Sequence, residues 1–178
     1  EKETLSLLSV GIFWSLILLS LTLSLRKFYQ DDFDNGNLLI LHLNGFSFEL
    51  ICILKTISHF IYVQIPFLIS IPIASILLNI SFDKIYYLLI SFLFGSLILS
   101  NLGSISSSMN LLNQRNYLLG SIIVMIFSIP VIIFSVAVIN QEENFHYLIN
   151  ILLGILLIVF AINPWASGAC LKLALQNN

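Results

Sequence analysis

The chain has 178 residues, of which 58% are hydrophobic and 9% charged, and it carries a formal net charge of −2 with a mean hydropathy of +1.02. Soluble domains are about half apolar and roughly a quarter charged, so this composition excludes a soluble fold and makes the lipid bilayer the expected surroundings. No basic cluster is present, which argues against nucleic acid as a partner.

A bilayer core about 30 Å thick needs roughly 20 apolar residues at about 1.5 Å rise, and runs of that length recur. Five spans are predicted: about Leu5–Leu25, Ile57–Ile80, Ile85–Leu102, Tyr117–Ile139 and Tyr147–Leu171. Signal peptides are excluded, because their apolar core is only about 7 to 15 residues. Strands are excluded too, since barrel strands alternate polar and apolar residues and these runs do not. The expected fold is therefore an all-α polytopic bundle forming a single transmembrane domain over residues 1–178.

Between the first two spans lies a polar island, "RKFYQDDFDNGN", which continues through "LLILHLNGFSFELICILK". Arg26 and Lys27 close the first span, where cations suit the negative end of a helix dipole. Asp31 to Leu43 is predicted as a short amphipathic helix on the membrane surface. Asn44 and Gly45 read as a turn, and Ser47 followed by Glu49 as a helix start. An EF-hand is ruled out by spacing, because a loop beginning at Asp31 puts Phe33 at its third position and His42 at its twelfth.

Farther on, Pro66 and Pro72 are expected to break the second span, and "GSISSSMNLLNQRN", residues 103–116, reads as a second polar connector carrying Arg115. Arg26, Lys27, Lys55, Arg115 and Lys172 fall on one side of the five spans, so residues 26–56 and 103–116 are expected to be cytoplasmic, or to face the matrix of a mitochondrion. Lys2 and Lys84 fall opposite. Cys52 and Cys170 sit in apolar segments and read as small buried hydrophobes.

Lys55 and His59 are four residues apart and share a helical face. Two arrangements are open: Lys55 snorkels to the interface, or the pair points into the bundle toward Glu49, Asp31, Asp32 or Asp34. His42, His59 and His146 are the available imidazoles for haem iron, though a lone histidine more often plays a structural part.

These residues together resemble a known family, the B component of the system I cytochrome c maturation machinery, also called haem exporter protein B (CcmB), the permease-like subunit of an ABC-type complex. Asp31, Asp32, Phe33, Asp34, Asn35, Gly36, Asn37, Leu38 resemble the family run D-D-x-x-D-G-S-L. Lys55 and His59 resemble A-K-x-x-x-H, Ile65, Pro66 and Pro72 resemble L-P-x-x-x-x-x-P, and Gly95, Gly103, Arg115, Pro130 and Pro164 fall in its later glycine, basic and proline motifs. Departures are Gln30 where an arginine is usual, Asn35 with Asp34 beside it in place of the third motif aspartate, and Gln114, Asn116 and Tyr117 around Arg115.

The resemblance implies six transmembrane helices, so the five spans would be the second to sixth, with the first missing from this sequence. It implies a permease subunit coupling ATP hydrolysis by a partner A component to haem export or to release of haem-loaded chaperone from a haem-handling C component. Asp31, Asp32, Asp34 and Gly36 would form the ATPase interface, Lys55, His59, Pro66 and Pro72 the intramembrane coupling elements, and Arg115 part of the second cytoplasmic loop. No glycine is followed by lysine, so there is no G-x-x-x-x-G-K-[ST] loop, and ATP is expected on the partner. No C-x-x-C-H is present, and haem is expected as cargo, not as a bound cofactor. An ABC permease for another cargo and a non-transporting scaffold are the rival readings. The location expected is the bacterial or mitochondrial inner membrane.

Overall fold

A computed structural model describes residues 2–77, 82–112, 118–140 and 142–176. Helix α1 runs Lys2–Asp34, α2 Asn37–Leu43 and α3 Phe48–His59. A π-helical turn, Phe60–Gln64, leads into α4, Ile65–Leu77, followed by α5 (Phe82–Leu112), α6 (Leu118–Asn140), a 3₁₀ turn at Glu142–Asn144 and α7 (Phe145–Gln176). Five helical stretches are long and apolar enough to cross a membrane, with α3, the π turn and α4 together making one of them.

Lipid offers no partner to backbone polar groups, so each span closes its own hydrogen bonds as a helix. The central rod is α5, most of which is buried, while α3–α4 and α7 leave most of their surface exposed. Around α5 two apolar clusters form. Val10, Trp14, Ile17, Leu21, Phe92, Leu99, Val131 and Leu152 belong to the larger one, between α1, α5, α6 and α7. Phe28, Tyr29, Phe33, Leu38, Ile51, Cys52, Leu111, Leu171 and Ala174 form the second, at the end of the bundle that carries α2. The opposite end gathers Tyr86, Tyr87 and Phe145, with ring centroids 5.0–6.1 Å apart, an aromatic grouping of the kind found at membrane–water interfaces.

Small residues let the rods approach. A Cβ on Gly95 of α5 would lie 2.2 Å from the Trp14 ring, and one on Gly120 of α6 would lie 2.6 Å from the Ser106 carbonyl. Ser91, Ser96, Ser100, Ser104, Ser107 and Ser108 of α5 are all buried, and two of them bond backbone carbonyls of neighbouring helices: Ser91 donates to the Ser135 carbonyl (2.7 Å) and Ser107 to that of Leu25 (2.8 Å).

Three expectations are corrected here. The surface helix predicted over Asp31–Leu43 is two elements: Asp31, Asp32 and Asp34 form the last turn of α1, and only α2 lies beyond Gly36. Residues 103–112, read as the start of a connector, continue α5, because in a membrane glycine and serine mark close helix contact as readily as a turn. The second span starts at Phe48, and Pro66 and Pro72 do not break it. A proline has no amide proton and crowds the carbonyl four residues back. The chain meets this by widening its turn, so that the amide of Ile65 bonds the carbonyl of Phe60. The start predicted at Ser47 is where the structure has it, with the Ser47 hydroxyl accepting from the amide of Leu50 (3.3 Å). Arg115 lies outside the described residues.

Gly36 takes φ +73° and Gly45 φ +92°, the left-handed region that costs other residues about 1–2 kcal/mol. Gly36→Ala is therefore expected to destabilise the α1–α2 corner by about 1 kcal/mol, read as faster amide hydrogen exchange confined to residues 31–43. No atom lies within 4 Å of a Cβ added there, so the effect should be backbone strain alone.

Candidate functional site

The polar island folds into a corner. Gln30 donates to Asp34 Oδ1 (2.9 Å), and Asn37 at the start of α2 donates to Asp32 Oδ1 (3.1 Å). Leu38 is fully buried beneath the corner, while Leu39, Ile40 and Leu43 of α2 are exposed. Lys55 of α3 pairs with Asp32. Of the two arrangements open for Lys55, the structure therefore has the one in which it faces a carboxylate of α1, and both partners remain partly accessible. Asp31 and Asp34 are exposed.

His59 lies one turn deeper and does not share the ion pair. Its ring stacks on Phe28 (centroids 4.6 Å, planes 27° apart), with Nε2 2.9 Å from Ser24 Oγ and Nδ1 3.2 Å from Ser100 Oγ. The Ser24 hydroxyl donates its one proton to the Leu21 carbonyl (2.8 Å), so it accepts from Nε2–H and Nδ1 accepts from Ser100. Both ring nitrogens are engaged and the side chain is buried, which makes it a strut between α1, α3 and α5. His42 sets Nδ1 3.1 Å from the Phe46 carbonyl and stacks on Phe48, and His146 contacts the ring of Phe145. Among the described residues no group of three or more His, Cys, Asp or Glu side chains is placed to hold a metal ion.

Beneath the corner runs a chain of hydrogen bonds that sequence reasoning did not assemble. Ser167 donates to Asn163 Oδ1 (2.7 Å), so its oxygen accepts from Ser104 (3.3 Å), which in turn accepts from the Tyr29 hydroxyl (2.7 Å). From Asn163, Nδ2 donates to Thr56 Oγ1 (3.0 Å) and to Asn101 Oδ1 (2.9 Å). Thr56 then donates to the Cys52 carbonyl and Asn101 to that of Leu97, both at 2.8 Å. The donors thus run in one direction, from Tyr29 at the foot of the acidic corner to α7, then to α3 and α5. All six side chains are buried, where unmade polar bonds are costly. The sequence signal available was polar spacing: Ser100 and Ser104, and likewise Asn163 and Ser167, stand four apart on one helical face.

Five membrane-crossing stretches around a hydrogen-bonded core, with an acidic corner at one end, define a polytopic α-helical membrane protein. More particularly, the chain belongs to the CcmB protein family, whose model matches residues 1–174. It is similar to heme exporter protein B of Haemophilus influenzae (28% identical, 99% of this chain and 81% of that protein), of Bradyrhizobium diazoefficiens (29%, 97% and 79%) and of Paracoccus denitrificans (29%, 99% and 82%).

Proposed function

We propose that the chain is the membrane permease subunit of an ABC-type complex for cytochrome c maturation. Haem would be its cargo, ATP would be bound by the partner A component, and the C component would handle haem beside it. Family membership and the relatives named heme exporter protein B support this reading. Those relatives are bacterial, which supports the bacterial inner membrane as its location. The chain forms one permease domain over residues 1–178 and contributes no catalytic group of its own.

The acidic corner is the contact for the soluble ATPase subunit. Asp31, Asp32 and Asp34 supply the charge and Gly36 sets the turn that presents them, with Arg115 on the neighbouring cytoplasmic connector. The observation that carries this is the Asp32–Lys55 pair, which ties the end of α1 to α3. Displacement of the corner would pass through Lys55 and the strut at His59 to the π turn and the segment holding Pro66 and Pro72. This motion would release haem-loaded chaperone from the C component.

Changing Asp31, Asp32 and Asp34 together to asparagine tests the reading in the assembled complex. Association with the ATPase subunit is expected to fall at least about tenfold, the loss of roughly 1.4 kcal/mol or more, with c-type cytochrome assembly falling alongside it. The subunit itself should still insert and fold, because two of the three carboxylates are exposed and partly accessible ion pairs contribute at most about 1 kcal/mol. Retention of both association and assembly would overturn the coupling mechanism and favour a scaffold.

A further inference from the structure

A groove of about 240 Å³ runs between α1 and the α3–π segment, lined by Ser24, Lys27, Phe28, Lys55, Ser58, His59, Tyr62 and Val63. Lys55 and His59 in its wall belong to the coupling path, but that path makes no use of the open space between the helices. Its floor is rigid, since His59 is stacked on Phe28 and fastened through both ring nitrogens. Its mouth holds two ammonium groups. Lys55 has three donors and gives one direction to Asp32, and Lys27 is exposed with no carboxylate within ion-pair distance among the described residues. Asp31, four residues beyond Lys27, is exposed at the rim. Ser58 and Tyr62 are also exposed, and their hydroxyls have no hydrogen-bond partner among the described residues.

The wall of the groove continues as an apolar track. Leu23, Leu19, Leu16 and Ile12 are all exposed on α1 and recur at three- and four-residue spacing along one helical face. They lead to a shallow depression beside Gly11 and Ser15. From Ser24 to Gly11 the helix rises about 20 Å, more than the roughly 15 Å depth of one leaflet's hydrocarbon. Cations and hydroxyls at one end and an unbroken apolar face below them match an anionic headgroup carrying acyl chains. Basic recesses between transmembrane helices on the cytoplasmic side bind such headgroups.

We infer that this groove is a binding site for an anionic phospholipid of the inner leaflet. Its phosphate would sit between Lys27 and Lys55, with the Ser58 and Tyr62 hydroxyls as further donors and an acyl chain along Leu23 to Ile12. The occupant is a phospholipid and not haem, because the groove ends against the occupied nitrogens of His59 and offers iron no free imidazole.

Native mass spectrometry of the detergent-purified full chain tests this, with phosphatidylglycerol and phosphatidylcholine as probes. Phosphatidylglycerol is expected to bind at least about tenfold more tightly. Lys27→Gln should weaken it about fivefold or more without changing phosphatidylcholine binding, while Lys84→Gln, at the opposite end of the bundle, should leave both unchanged. Ser58→Phe, which fills the groove from an exposed position without altering charge, should reduce phosphatidylglycerol binding to a similar degree. Equal binding of the two lipids, an unaffected Lys27→Gln variant, an equal loss in Lys84→Gln, or displacement of the lipid by haem would each overturn the inference. None of these readings involves the ATPase subunit, so failure here leaves the coupling mechanism standing.

Discussion

Exchange of Asn163 for leucine is expected to destabilise the bundle by about 3 kcal/mol and to separate α7 from α3 and α5. Asn163 makes two donor bonds, to Thr56 and Asn101, and accepts one from Ser167. The two bonds to Thr56 and Asn101 cross between helices, where such bonds average about 0.6 kcal/mol each, so their loss accounts for about 1 kcal/mol. The remainder comes from the Asn101 Oδ1 atom, left buried without a donor, for which about 1–3 kcal/mol is usual. Ser167 escapes that penalty, because its hydroxyl can turn to the carbonyl four residues back. Leucine matches asparagine roughly in size, so a cavity contributes little. Unfolding in mixed micelles with rising dodecyl sulfate would read the change. The double variant Asn101→Leu, Asn163→Leu should be less destabilised than the sum of the single variants, since it removes the orphan together with its lost partner. Strict additivity would show that the two amides do not share a network.

The membrane class and the five spans were legible because lipid leaves the backbone so few options that composition alone selects helices. The start at Ser47 was legible as well, being set by a local hydroxyl-to-amide bond. Helix ends were less so. Hydropathy marks where a rod lies in hydrocarbon, while α1 continues through Arg26 to Asp34 and α5 through Gly103 to Leu112, where tertiary packing and not lipid sustains them. The "GSISSS" run was misread because the same residues that permit a turn in water permit backbone contact in a bilayer. Within the candidate site, the Lys55 partnership could be narrowed to four carboxylates by sequence but not to Asp32, since that choice depends on how α1 and α3 cross. The Tyr29–Ser104–Ser167–Asn163 chain lay further from view, joining three helices at separations of 75, 63 and 4 residues. No periodicity encodes such a meeting.

Gly95→Ala is expected to be among the most damaging single-methyl changes in the chain. In an ordinary helix interior the change stabilises by about 0.5–1 kcal/mol, because alanine has less backbone freedom to lose. Here the added carbon would lie 2.2 Å from the outer edge of the Trp14 ring and 3.0 Å from Ser135 Oγ. The indole cannot swing aside. It is 1% exposed and held by Phe92, with centroids 6.2 Å apart, while Phe92 is itself packed on Phe13 at 5.8 Å. Relief must come from moving α1 away from α5, which opens the larger apolar cluster along several turns. Overpacking of this kind costs about 1–3 kcal/mol and occasionally more, so a net loss of about 2 kcal/mol remains after the propensity gain is subtracted. Trp14→Phe in the same chain removes the ring atoms that collide, and although it leaves space elsewhere, Gly95→Ala should be nearly harmless on that background. The measurement is the same dodecyl sulfate titration across the four chains of the cycle, with a coupling of about 2 kcal/mol expected between the two positions. Independent behaviour of Trp14 and Gly95 would mean that α1 and α5 do not meet at this glycine.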